Sequence, residues 1–330
     1  MKKAYIKGMG MYVPEQVVTN DDLAKRFETS DEWIQQRTGI QARRYAEEGV
    51  SCSDLGAKAG LAAIEDAGLT PDDIDCVLFA SLSPDHHFPG SGCYVQEKIG
   101  CRGSAAMDIR NQCTGFLYGL ATANSFIQSG QFKNVLVIGA EVHSSALHYD
   151  TLGRDVTVLF GDGAGAMVIS ESDGDSGFID FDLHADGKYA RSLFLDIWDI
   201  SRKPYIKDGT MVHEERWPQM DGRTVFKHAV TKMPKSVMKT LAANGRSIDE
   251  VKLLIPHQAN LRINESVAKT LKLGPDRVHN NIQKYGNTTA ATLPICFIEA
   301  VQAGKASRGD VVMFTAFGSG FTWGSGLMIY

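Results

Sequence analysis

The chain has 330 residues, 43% of them hydrophobic and 22% charged, with a formal net charge of −5. This is the composition of a soluble globular protein with room for a large core or two domains, and no apolar run approaches the roughly 18 residues a membrane span needs. A negative balance without a run of Lys or Arg argues against nucleic acid, where phosphate neutralisation dominates affinity, so any anionic partner must meet a local basic patch.

The first residues, Met1 to Gly8, are basic but carry no apolar stretch of the kind that directs export, which predicts a cytoplasmic protein. Thr29-Ser30-Asp31-Glu32-Trp33-Ile34 offers an N-cap with acidic residues in the first turn and leads into Arg37-Thr38-Gly39-Ile40, a short helix and turn. Ser53 to Ala67 reads as an alanine-rich helix stopped at Gly68, and Asp75 to Ser81 as a buried strand. Helices at Gly90–Ile99 and Cys113–Ser129 then alternate with strands at Ala105–Asp108, Asn134–Ala140 and Ala166–Ser170, a pattern of α/β layering. The six cysteines, Cys52, Cys76, Cys93, Cys101, Cys113 and Cys296, make no Cys-x-x-Cys pair and have no His at zinc spacing. Reduced thiols are therefore expected, with no metal site, and His86-His87 reads as a polar loop.

The second half repeats the first. Gly68 to Leu78 aligns with Gly245 to Ile255 at an offset of 177, Gly100, Cys113 and Gly130 match Gly274, Asn287 and Gly304 at 174, and Asn134-Val135-Leu136-Val137 matches Asp310-Val311-Val312-Met313 at 176. Both halves close on a Gly-rich turn and an apolar strand. Near-constant offsets predict two copies of one βαβ-rich unit, residues 1–174 and 175–330, related by a pseudo-twofold axis. On this alignment Cys113 and Asn287 occupy equivalent helix starts and converge at the junction between the copies, a common place for a pocket.

The residues at that junction suit covalent catalysis. Cys113 stands where polar residues give way to a buried helix, and the helix N-terminus is expected to favour its thiolate and lower its pKa from the usual value of roughly 8.5. His257, in Pro256-His257-Gln258-Ala259-Asn260, follows a buried strand, and Asn287 opens a helix in Tyr285-Gly286-Asn287-Thr288. Taken singly, these read equally well as a small buried residue, an interior histidine and a plain N-cap. Together a Cys, a His and an Asn at strand ends and helix starts suit chemistry through a thioester. Phe317-Gly318-Ser319-Gly320 adds unobstructed backbone N–H groups of the kind an oxyanion hole requires.

The 29–34 and 37–40 segments, Cys113-Thr114-Gly115-Phe116, Phe160-Gly161-Asp162-Gly163-Ala164-Gly165-Ala166, His184-Ala185-Asp186-Gly187, Val225-Phe226-Lys227, Pro256 to Asn260, Tyr285 to Thr288 and Ala316 to Gly324 span almost the whole chain in order. As a set they closely resemble the 3-oxoacyl-[acyl-carrier-protein] synthase III family. The resemblance implies the thiolase fold, two pseudo-symmetric halves with mixed five-stranded sheets layered α/β/α/β/α, and a homodimer without a cofactor. It implies a two-stage Claisen condensation that initiates fatty acid synthesis. Cys113 would take an acyl group from an acyl-CoA primer, with the N–H groups of Ser319 and Cys113 holding the oxyanion. His257 and Asn287 would then hydrogen-bond the thioester carbonyl of malonyl-acyl carrier protein as CO2 leaves.

By the same resemblance Trp33 would stack on the CoA adenine with Arg37 and Arg154 near the nucleotide, and Gly222, Phe226, Ala259 and Asn260 would line the pantetheine tunnel. Phe88 of a partner subunit would close the acyl pocket, and Lys227, Arg262 and Lys269 would dock the acidic carrier protein. Asn111-Gln112 stand before Cys113 where the family commonly has small apolar residues, and the Lys188–Gln219 segment, with Trp198 and Trp217, is longer than usual and could cover the primer tunnel. Primer length and branching stay open, as does a secondary-metabolic or long-chain condensing role. A cysteine hydrolase using Cys113 and His257 would release free acid without a malonyl thioester, and a non-catalytic binding protein would leave Cys113 unacylated.

Overall fold

The computed structural model of the chain describes residues 3–172, 174–197, 201, 203 and 217–330. Strands β1 (Lys3–Tyr12), β2 (Cys76–Ala80), β3 (Ala105–Ile109), β4 (Asn134–Glu141) and β5 (Gly163–Ser172) form one sheet in the order β1-β5-β4-β2-β3. In it β2 runs parallel to β3 and β4, while β5 is antiparallel to β1 and β4. Strands β6 (Gly177–Ala185), β7 (Leu253–Pro256), β8 (Val311–Gly318) and β9 (Thr322–Ile329) form the second sheet, ordered β6-β9-β8-β7 with the same directions. Where a mate of β3 would lie, the second sheet has a single parallel bridge, Leu254 to Val278.

Helices α1 (Asp31–Thr38), α2 (Cys52–Asp66), α3 (Ser91–Ile99), α4 (Gly115–Ser129), α5 (Gly222–Ala243), α6 (Leu261–Leu271) and α7 (Thr292–Gln302) complete the layers. Leu55, Ala59 and Ala63 of α2 and Val95 and Ile99 of α3 pack on Val77, Phe79 and Ile138, covering the outer face of the first sheet. Met233 and Val237 of α5 and Ile263 and Val267 of α6 cover the second sheet through Leu254, Met313 and Leu327. Between the sheets lie α4 and α7, whose Phe116, Leu120, Leu293 and Phe297 meet Leu78 and Val137 on one side and Ile255 and Phe314 on the other. Burial on both faces explains why β2 reads as the unbroken run CVLFA rather than an alternating strand.

The repeat is present, with a corrected register. Cys76 pairs with Val135 and Leu253 with Val312, so strand mates stand 177 residues apart, including the stretch the sequence aligned at 176. Each central helix is preceded by a single 3-10 turn, Gln112–Thr114 and Thr289–Ala291, whose first residues share a left-handed φ of 45° and 47°. The mate of Cys113 is therefore Ala290, and Asn287 lies three residues ahead of that position. The 174 offset holds at Gly130 and Gly304, left-handed residues ending α4 and α7, because α7 is shorter. The left-handed cap matching Gly100 is Lys272, not Gly274.

Phe116 is fully buried in the central layer. Phe116→Ala should cost about 3–5 kcal/mol in denaturant unfolding, whereas Leu152→Ala, at a side chain 86% exposed, should stay within about 0.5 kcal/mol.

Candidate active site

Cys113 sits in the 3-10 turn, and α-helical geometry begins only at Gly115. Gly318, the last residue of β8, crosses directly over it: a Cβ there would lie 2.6 Å from Cys113 Cβ and 3.1 Å from its Sγ. Only glycine lets the strand end come so close. The backbone N–H groups of the next residue, Ser319, and of Cys113 itself act on the sulfur in favour of its thiolate. Ser319 Oγ donates to the Leu193 carbonyl, which ties the turn in place.

The activation expected of Cys113 is not what its surroundings produce. Burial, reinforced by the charge of Glu141, pushes the thiol up to about 12 against the pull of the two N–H groups. Desolvating a thiolate outweighs what a helix start and two donors return. Glu141 is fully buried behind the turn and accepts from the Leu82 and Ser83 N–H groups, from Ser83 Oγ and, at 3.4 Å, from the Ala290 N–H. Burial raises its own carboxyl to about 7.

His257 directly follows β7, and its N–H donates to the Thr315 carbonyl at 2.8 Å, continuing the ladder with β8. Its Nδ1 lies 2.6 Å from Thr292 Oγ1. That hydroxyl also lies 2.8 Å from the Thr289 carbonyl, which already accepts the Thr292 N–H. One hydroxyl proton thus faces two acceptors. Donated to Thr289 it leaves Nδ1–H as a donor and a lone pair on Nε2; donated to Nδ1 it leaves Nε2–H. Nε2 has no hydrogen-bond partner among the described residues. Burial holds the ring well below its ordinary pKa, at about 3, so it is neutral near pH 7.

Asn287 is pinned at both ends. Its N–H donates to the Leu159 carbonyl at 2.8 Å, and its Oδ1 accepts the Thr289 N–H at 2.8 Å. The amide NH2 is thereby left as the end available to the cavity. Cys113, His257 and Asn287, exposed by 7%, 2% and 5%, line one cavity of about 450 Å³ together with the exposed Arg37, Arg223 and Arg262. The cavity therefore leads from the surface to the thiol.

Trp33, Gly222, Phe226, Ala259 and Asn260 also line it, as expected from sequence. The Ser30 hydroxyl caps α1 by accepting the Trp33 N–H at 3.1 Å, and Asn260, the N-cap of α6, donates through its side chain to the Arg37 carbonyl at 2.9 Å. The guanidinium carbons of Arg37 and Arg154 lie 4.3 and 4.6 Å from the centre of the Trp33 ring. Arg154 reaches the indole without lining the cavity.

Phe88 is 78% exposed and lies outside the cavity of its own chain. Lys269 is exposed on α6, and Lys227 lines a neighbouring groove of about 540 Å³ with Lys232, Lys235 and Lys239. His184 of the 184–187 motif stacks on Trp323 and bonds Asp182, a structural role. Trp198 and the middle of the 188–219 segment fall outside the described residues, while Leu193 and Met220 at its flanks line the cavity. Phe160, from the 160–166 motif, lines it too, and Val158, Leu159, Met233 and Ile263 supply further apolar wall that the sequence did not single out, since buried apolar residues of this kind look like ordinary core. Thr289 and Thr292 were also missed, although Thr289 follows closely on Asn287.

Residues 107–187 match the family model of 3-oxoacyl-[acyl-carrier-protein] synthase III, and residues 241–330 match the model of its C-terminal part. The chain is 44% identical over 322 residues to a beta-ketoacyl-[acyl-carrier-protein] synthase III of Bacillus pumilus, covering 98% of this chain and 97% of the relative. It is likewise 44% identical over 326 residues to the enzyme of that name from Roseiflexus castenholzii, covering 98% and 97%. The crystal structure of 3-oxoacyl-[acyl-carrier-protein] synthase III from Aquifex aeolicus superposes with a TM-score of 0.91 at 41% identity, covering 99% of this chain and all of that one.

With the Cys113 thiol held near 12, its thiolate fraction should still be rising throughout the accessible alkaline range. Alkylation of Cys113 by iodoacetamide, followed by intact mass from pH 6 to 10, should accelerate roughly tenfold per pH unit without levelling off. A plateau near or below pH 8.5 would mean that the N–H groups and helix start outweigh burial.

Proposed function

The chain belongs to the 3-oxoacyl-[acyl-carrier-protein] synthase III family, and from that membership and the geometry of the cavity we infer the part each residue takes in the reaction. The enzyme is an acyltransferase that condenses an acyl-CoA primer with malonyl-acyl carrier protein, with loss of CO2, giving the 3-oxoacyl-acyl carrier protein that initiates fatty acid synthesis. The observation that carries the residue assignment is the meeting of a thiol, an unpartnered imidazole nitrogen and an oriented amide in one cavity that opens among arginines.

In the first half-reaction His257 Nε2 takes the Cys113 proton as the sulfur attacks the primer thioester. The N–H groups of Ser319 and Cys113 hold the tetrahedral oxyanion, and the proton leaves with CoA thiol. In the second, the Nε2–H tautomer of His257 and the Asn287 amide hydrogen-bond the malonyl thioester carbonyl. CO2 departs, the enolate they stabilise attacks the Cys113 thioester, and the sulfur is released as thiolate to regain a proton from solvent. Both donors are neutral, so they match an oxygen whose negative charge exists only as the reaction proceeds; one such donor is worth roughly 2.7–4 kcal/mol there.

The CoA adenine stacks on Trp33, displacing one of the two guanidiniums, with Arg37 and Arg154 beside the nucleotide and phosphates. Gly222, Phe226, Ala259 and Asn260 flank the pantetheine. The thiol comes from the 1–174 half, the imidazole and amide from the 175–330 half. Lys227, Arg262 and Lys269 dock the carrier protein, a reading supported by the lysines that continue from Lys227 along α5. A homodimer in which Phe88 closes the partner's acyl pocket accounts for a phenylalanine 78% exposed. A cytoplasmic site of action suits soluble substrates; among the described residues no helix is long and apolar enough to cross a membrane.

Cys113→Ser should abolish acyl transfer from acyl-CoA in intact-mass measurements. Asn287→Ala should acylate normally while CO2 release from malonyl-acyl carrier protein falls roughly 10²- to 10³-fold; equal loss in both half-reactions would remove Asn287 from the assigned role. Lys227→Glu and Lys269→Glu should raise the KM for malonyl-acyl carrier protein, flatten its dependence on salt and leave the KM for acyl-CoA unchanged. An unaltered salt profile would place docking elsewhere.

A further inference from the structure

Three features that the reaction does not use directly meet at Thr289: a buried histidine, a left-handed backbone and a hydrogen bond to a reacting group. Thr289 is fully buried with φ at 47°, a conformation in which a β-branched residue is uncommon and which its surroundings must enforce. Its N–H donates to Asn287 Oδ1 at 2.8 Å, so the direction of that N–H decides which end of the Asn287 amide reaches the cavity. Its Oγ1 lies 2.6 Å from His143 Nε2.

His143 is itself fixed from both sides. Its N–H donates to Asp162 Oδ1 at 2.7 Å, and Asp162 also accepts from the Ser144 and Ala46 N–H groups and from Ser144 Oγ. Its ring packs on Phe160 with centroids 4.5 Å apart, and Phe160 bridges the backbone of Asn287. A rigid anchor in the first half thus grips the side chain of the residue whose backbone N–H orients the Asn287 amide in the second half.

We propose that His143 is a positioning residue for decarboxylation: it holds Thr289 in its left-handed turn and so keeps the Asn287 amide turned with its NH2 toward the substrate. The inference rests on Asn287 being a donor in that half-reaction. Acylation of Cys113 does not use the amide and touches Thr289 only at one remove, through the carbonyl that faces Thr292 Oγ1, so CO2 release should respond the more strongly of the two half-reactions.

The test measures both half-reactions, Cys113 acylation by intact mass and CO2 release from malonyl-acyl carrier protein, in full-length His143→Phe, His143→Gln, Thr289→Val and Asn287→Ala. His143→Phe should slow CO2 release roughly 10- to 100-fold in kcat with KM little altered, while acylation changes less than about threefold. Thr289→Val, which keeps the side-chain shape and removes the hydroxyl, should do the same and carries the test if His143→Phe fails to fold. His143→Gln, whose amide can still reach the hydroxyl, should restore most of the rate. Parallel loss of both half-reactions, or undiminished CO2 release in both His143→Phe and Thr289→Val, overturns the proposal. If Asn287→Ala also releases CO2 at the normal rate, the role given to Asn287 falls with it; if Asn287→Ala alone is defective, only the role of His143 fails.

Discussion

The centre of this molecule depends on a steric constraint between its halves: the turn before each central helix lies against a strand of the other half. Gly318 of the second sheet crosses Cys113, and Gly139 of the first meets the Ala290 carbonyl so closely that a Cβ would stand 2.5 Å from its oxygen. Any side chain at either position would hold the sheets apart. The layers then follow, because α4 and α7 can fill the space between the sheets only if the faces they turn to both are apolar, as Phe116, Leu120, Leu293 and Phe297 make them.

The same closeness sets the electrostatics. Burial raises the thiol, lowers the imidazole and leaves the amide unaffected, so the resting cavity presents three neutral reactive groups. Among buried groups an ion at rest would be costly, whereas dipoles fixed in advance stabilise charge as it develops. Two threonines fix the side-chain dipoles: Thr292 serves His257 in either tautomer, and Thr289 orients the Asn287 amide.

The sequence made the layering, the repeat and the three converging residues readable, because unbroken apolar strands, helix stops and repeated segments are local and periodic. It misplaced the register at the centre. The difference in length between α4 and α7 made the 174 offset of Gly130 and Gly304 look general, and the left-handed conformations of Gln112 and Thr289 carry no mark in residue type, since neither is glycine. The Cys113 thiolate was misjudged for a related reason: a helix start is visible in sequence, but burial by Gly318 from a strand two hundred residues away is not. The fifth strand of the second sheet, reduced to Val278, and the hydroxyl relay also arise only from tertiary contacts.

The pairing of Cys113 with Ala290 has a consequence for how such a fold can arise. Two identical half-chains associating about an exact axis would place the same residue in both turns, so any improvement to one would be forced on the other. Joined in a single polypeptide, the copies can diverge independently: one turn carries the nucleophile, and its mate is free to be a small side chain beneath an amide of different purpose. Covalent linkage here permits asymmetry, and the asymmetry is what distinguishes attacking group from supporting groups in a shared pocket.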